Sequence, residues 1–169
     1  TEGATLGIYG LIVERGLAYQ DTQLPGWRGG GILVDHFESG LQLVECLVRW
    51  NYAAQTGGGI SSIGDVMIVD RSTFINNRAI EGGAIASSPN PGKDMVNVNT
   101  IISRSRFYQN YAGPNRGRGG ALSFGYNYAL VVNNVFRQNI SQGGESAEGG
   151  AIYMAKDVKV EAYNNTFYK

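Results

Sequence analysis

The sequence predicts an all-β fold, a right-handed parallel β-helix solenoid of about six coils, and three observations lead there. A short alternating apolar segment recurs six times, each copy closing on Val or Phe. A glycine motif falls once between successive copies. No stretch has the three- and four-residue apolar spacing of a helix, and the glycine pairs would break one.

The first element of each copy is a strand. Seven and five residues before the closing Val or Phe stand Leu6 and Ile8, Leu41 and Leu43, Met67 and Val69, Thr100 and Ile102, Ala129 and Val131, and Val160 and Ala162. A period of two marks a half-buried strand. The closing residues are Val13, Val48, Phe74, Phe107, Phe136 and Phe167, spaced 35, 26, 33, 29 and 31 residues apart. Coils stacked about 4.8 Å apart put like on like, so Phe74, Phe107, Phe136 and Phe167 are expected to form an interior aromatic stack.

The bend comes next. Three residues past the closing position stand Gly16, Asn51, Asn77, Asn110 and Asn139. The four asparagines are expected to form a ladder, each amide satisfying backbone groups that the turn leaves unpaired. Ala18, Ala53, Ala79, Ala112 and Ser141, two residues further on, are small enough for a tight turn. The glycine motif then completes the coil: GGGI at 29–32 and 57–60, GGAI at 82–85, GGAL at 119–122 and GGAI at 149–152. Its glycines are expected to supply positive φ or close approach between coils. The surplus length is assigned to loops at 20–28, 87–97, 113–118 and 141–148, rich in Gly, Pro, Ser and Asn and expected on one edge of the solenoid.

The FxxN segments Phe74–Asn77, Phe107–Asn110 and Phe136–Asn139, with the GGA[IL] segments Gly82–Ile85, Gly119–Leu122 and Gly149–Ile152, resemble the repeat of the chlamydial polymorphic outer-membrane proteins. More widely they resemble the pectin-lyase-like parallel β-helix group. The first two copies depart from the pattern by carrying Val for Phe. The resemblance implies the fold. It leaves function open among adhesins, surface filaments and polysaccharide enzymes, because fold alone does not fix activity.

Composition narrows the classes. The chain has 169 residues, enough for one domain over 1–169, with 14 basic and 14 acidic residues. Balanced charge gives no footprint for nucleic acid or an anionic membrane. The single Cys46 excludes an internal disulfide framework, and no apolar run reaches the length of a membrane span. The sequence opens at Thr1 in an apolar alternation and stops two residues after Phe167. It therefore reads as a segment of a longer solenoid, or one that self-associates end to end. No cofactor or metal is expected.

Polysaccharide-cleaving enzymes on such a scaffold need carboxylates or basic side chains clustered on neighbouring coils. The candidates are Asp65, Asp70, Arg71 and Arg104, with Glu45 beside Arg71 in an outward row; the plainer reading is a surface ion pair. The only histidine, His36, lies in Asp35–His36–Glu38 without a located nucleophile, and Cys46 reads as a small buried residue. A binding face is the other candidate: Trp50, Tyr52, Tyr108 and Tyr111, interleaved with Arg49, Arg78 and Arg137. Of two glycosylation sequons, at Asn139 and Asn164, only Asn164 lies outside the ladder. The sequence points to a non-catalytic extracellular structural or adhesive module at the cell surface. The alternatives are a polysaccharide-active enzyme and a lectin-like carbohydrate-binding module.

Overall fold

The computed structural model describes residues 4–19, 27–89, 99–144 and 147–169. Four strands make a coil; in the first they are β1 (Thr5–Tyr9), β2 (Ile12–Glu14), β3 (Leu17–Ala18) and β4 (Ile32–Val34). The set repeats through β20 (Ile152–Met154), and β21 (Lys159–Tyr163) and β22 (Thr166–Tyr168) begin a sixth coil. Equivalent strands pair in parallel from coil to coil, giving two sheets of six strands and two of five. The fold is thus an all-β parallel solenoid of five full coils and half of another. Among the described residues no helix is long and apolar enough to cross a membrane.

Register is where sequence becomes structure. In the first sheet Leu6 pairs with Leu41, Leu41 with Met67, Met67 with Thr100, Thr100 with Ala129 and Ala129 with Val160. In the second, Val13, Val48, Phe74, Phe107, Phe136 and Phe167 form one row. The four phenyl rings stack nearly parallel, with centroids 5.0, 4.9 and 4.9 Å apart. Phe74, Phe107 and Phe136 are buried, and Phe167 is 55% exposed on the last coil. Phe74, Phe107 and Phe136 thus form a continuous buried stack, like packed on like, at the centre of the interior.

Three of the four kinds of corner are made by one left-handed residue, and only the corner between the third and fourth sheets has glycine there in every coil. Between the third and fourth sheets it is the first glycine of the motif, Gly29, Gly57, Gly82, Gly119 and Gly149, with φ between 62° and 65°. The next glycine serves a different need. A Cβ on Gly83 would run into the carbonyl of Gly120 in the adjacent coil and the backbone of Tyr111. Between the first and second sheets the left-handed residues are Gly10, Glu45, Arg71, Arg104, Asn133 and Asn164. Between the second and third they are Arg15, Trp50, Asn76, Gln109 and Gln138. Side chains seldom adopt this region. Here the corner N–H groups stay in the coil-to-coil ladder, as when Arg71 donates to Ser103 O at 3.1 Å and Trp50 to Ile75 O at 3.0 Å.

The asparagine row adds a second chain of bonds. Asn77 donates from both its backbone N and its Nδ2 to Asn110 Oδ1, each at 3.0 Å, and Nδ2 also reaches Val48 O at 2.9 Å. The same three bonds recur for Asn51 and Asn110. A parallel row at Cys46, Ser72, Ser105, Asn134 and Asn165 does equivalent work inside the first corner. Cys46 N donates to Ser72 Oγ, Ser72 N to Ser105 Oγ, and Ser105 N to Asn134 Oδ1. The Cys46 thiol is buried and faces Val44 O at 3.2 Å, as a weak donor in this row.

One expectation is corrected. The loops at 20–28, 113–118 and 141–148 do leave at the corner between the third and fourth sheets. The loop at 87–97 starts from β12 (Ile85–Ser87) and returns at β13 (Thr100–Ser103), so it leaves between the fourth and first sheets. The excursions therefore occupy two edges. Between its paired ends a loop is not held to the coil's stacked register, so its length is free at either corner. Residues 20–26, 90–98 and 145–146 of these loops lie outside the described residues.

Removing one rung tests these ladders. Asn110→Ala strands buried donors and acceptors in two coils and is expected to cost about 3 kcal/mol in urea unfolding. Phe107→Ala opens a void in the stack and is expected to cost about 3–5 kcal/mol. Phe167→Ala, half out of the core already, should fall well below either; equal losses for Phe107 and Phe167 would contradict the stack as described.

Candidate functional site

Three of the four candidate enzymatic residues meet. Asp70 ends β9 (Val66–Asp70) on the outward side of the first sheet, and Arg71 and Arg104 occupy left-handed corner positions of adjacent coils. Their backbone direction turns both guanidinium groups back over the Asp70 carboxylate. Arg104 donates from Nε to Oδ1 and from Nη2 to Oδ2, both at 2.8 Å. Arg71 Nη1 lies 2.9 Å from Oδ2, and its Nε reaches Glu45 Oε1 at 2.9 Å. Ser103 Oγ completes the shell at 2.7 Å from Oδ1.

A shallow groove of about 560 Å³ runs over this cluster, bordered by Tyr9, Gln42 and Ile101. Asp65 does not border it. It precedes β9 at the opposite end, a strand's length of roughly 16 Å from Asp70. Paired glycosidase carboxylates stand about 5–9.5 Å apart, so these two do not form such a pair.

The charge environment fits a locked ion pair better than an acid or base. Burial pushes the Asp70 carboxyl up, but the Arg104 and Ser103 hydrogen bonds and the charges of Arg104 and Arg71 together hold it below its ordinary value. A general acid at neutral pH requires the opposite shift. Among the described residues no three His, Cys, Asp or Glu side chains converge as metal ligands would. His36 sits in an exposed turn, where Nδ1 accepts from Glu38 N at 3.4 Å.

The aromatic candidates gather around the corner between the second and third sheets. Tyr52, Arg78 and Tyr111 form one outward row of the third sheet, with the Arg78 guanidinium carbon 4.7 Å from the Tyr111 ring centroid. Trp50 is the left-handed corner residue beside Tyr52, 44% exposed, with the guanidinium carbons of Arg49 and Arg15 at 4.2 and 5.7 Å from its ring. Tyr108 lies around the corner from Tyr111, on the second sheet between Ile75 and Arg137. Asn164 is exposed, whereas Asn139 is half-buried and donates from Nδ2 to Phe107 O at 2.9 Å, so a glycan on Asn139 would remove a ladder rung.

A second carboxylate shell on the first sheet was not foreseen from residue spacing, because its members come from adjacent coils. Glu161 accepts from Tyr128 Oη at 2.7 Å and Tyr163 Oη at 3.2 Å, and pairs with Lys159 Nζ at 2.9 Å. The Tyr128 hydrogen bond, then that of Lys159, brings its carboxyl down to about 2 from 4.5. A carboxyl depressed in the folded state stabilises it above the unfolded value and ceases to do so as pH falls through the folded one. The melting temperature of the native chain is therefore expected to exceed that of Glu161→Gln at neutral pH, and the gap to close between pH 4.5 and about 2. A gap independent of pH would rule out this contribution.

The curated proteins and the solved structures yield no match. Residues 71–88, from the Arg71 corner through Phe74, Asn77 and the glycine corner to the end of β12 and Ser88, match the model of the Chlamydia polymorphic membrane protein repeat, so the third coil is similar to that repeat.

Proposed function

We propose that the chain is a non-catalytic module of a surface or outer-membrane protein, exposed outside the cell and serving a structural and adhesive role. The observation that carries this reading is the match of residues 71–88 to the Chlamydia polymorphic membrane protein repeat, on a coil whose stacking is continuous with its neighbours. The outward rows support it. Two inward rows keep one residue type over four coils, Phe74 to Phe167 and Asn51 to Asn139, while outward positions such as Tyr52, Arg78 and Tyr111 change, as suits a rigid spacer carrying contact surface. The contact face is the Trp50, Tyr52, Tyr108 and Tyr111 cluster, since large aromatic groups beside arginine bring contact area at small entropic cost. Further coils, or a second copy stacked end to end, cover the exposed inward rows of the first and last coils, where Leu6 and Phe167 are 56% and 55% exposed.

Two measurements test this. Antibodies to the purified chain should label intact cells of the source; labelling only after permeabilisation would overturn the surface location. Beads coated with the chain should adhere to cultured epithelial cells, and Trp50→Ala with Tyr111→Ala should lower adhesion at least fivefold while leaving the melting temperature unchanged. The competing enzymatic reading requires new reducing ends or unsaturated products from pectin or alginate, lost in Asp70→Asn; their appearance would displace the adhesive one.

A further inference from the structure

The outward row of the fourth sheet runs Leu33, Ser61, Ala86, Ser123 and Tyr153, one residue from each coil. The three middle members are small. Although they point away from the core, Ser61, Ala86 and Ser123 are only 4%, 9% and 6% exposed. They form the floor of a cleft of about 250 Å³. From Ser61 to Ser123 it covers two coil spacings, about 10 Å along the solenoid axis.

One wall is the row preceding the glycine corners, Arg28, Thr56, Glu81, Arg118 and Glu148, held in register by parallel bridges. Its charges alternate. Arg118 Nη1 donates to Glu81 Oε1 at 3.1 Å, and its Nε lies 3.3 Å from Glu148 Oε2. That Nε is buried without an aligned hydrogen bond. Thr56 Oγ1 and Ser61 Oγ are 3.0 Å apart and share one proton, which leaves the other hydroxyl proton for a ligand. The facing wall is low, with Ser88, Gly125 and Ala155. Tyr153 closes one end, the Arg118 guanidinium carbon 5.2 Å from its ring centroid.

Together these features select a ligand class. An anion such as a phosphate would need an uncompensated positive field, but Arg118 stands between two carboxylates. An apolar ligand would strand the buried hydroxyls. A sugar matches both parts: its hydroxyls meet groups that donate and accept, and its C–H faces meet Ala86, Gly125 and the Tyr153 ring. We infer that this cleft binds a short neutral oligosaccharide lying along the solenoid axis; the inference rests on the reading of the chain as a binding module and names a ligand for a face separate from Trp50. The wall's two carboxylates, Glu81 and Glu148, are both paired with Arg118 and stand on the same side of the cleft. Hydrolysis uses two carboxylates flanking the bond, so the sugar is held and not hydrolysed.

The test titrates the isotope-labelled chain with maltotriose, cellotriose, chitotriose and galactotriose, following amide resonances. At least one is expected to shift Ser61, Ala86, Ser123 and Tyr153, with saturation. Ser123→Trp, which fills the floor, should weaken binding at least tenfold; Tyr153→Ala should weaken it also, and Trp50→Ala should leave it unchanged. No shifts with any of the four sugars, shifts confined to the Trp50 and Tyr52 face, or full binding by both Ser123→Trp and Tyr153→Ala would overturn the inference. Bead adhesion measured on the same preparation separates the failures. Adhesion without sugar binding removes only the cleft, and absence of both removes the adhesive reading as well.

Discussion

Coil-to-coil backbone pairing without offset is the constraint on which the rest of the molecule depends. Parallel strands about 4.8 Å apart place each residue on its equivalent in the next coil, so every row along the axis is a column of corresponding sequence positions. A row must then be self-compatible. Phenyl rings satisfy that inside, because flat identical faces stack. Asparagines satisfy it at the bend, because one amide carries both the donor and the acceptor that the next requires.

The corners follow from the same constraint. Four bends per coil must leave the pairing intact on both sides, and at three of them one left-handed residue achieves this while its N–H remains in the ladder. Where another backbone passes closely, as at Gly83, only glycine fits. Where the corner faces outward, larger residues occupy it, and their left-handed backbone sets the direction of the side chain. This is how Arg71 and Arg104 come to lie over Asp70, and how Trp50 projects beside Tyr52. The candidate surfaces are consequences of corner geometry as much as of residue type.

Legibility divides along that line. The strand pairs, the Phe74–Phe107–Phe136–Phe167 row and the Asn51–Asn77–Asn110–Asn139 row could be read from the sequence because structural equivalence and sequence repetition coincide there. The row at Cys46, Ser72, Ser105, Asn134 and Asn165 escaped notice because its chemistry changes from thiol to hydroxyl to amide while its role stays constant. The misplaced loop at 87–97 follows the glycine motif instead of preceding it, an order visible in the chain but hidden once loops are treated as featureless. Asp65 and Asp70 looked like partners because they are near in sequence; an extended strand holds them apart. The floor of Ser61, Ala86 and Ser123 was legible only as a column, since small residues announce nothing along a single chain.

The alternating wall charges and stacked rows run parallel to the axis, and so do the hydrogen bonds between coils. Tension applied along that axis meets the bonds of all four sheets at one coil boundary together, where they share the load. Tension applied across it, at a strand end, meets them singly. The molecule is consequently stiff as a strut and weak to peeling from its rim, a mechanical anisotropy that follows from strand direction alone.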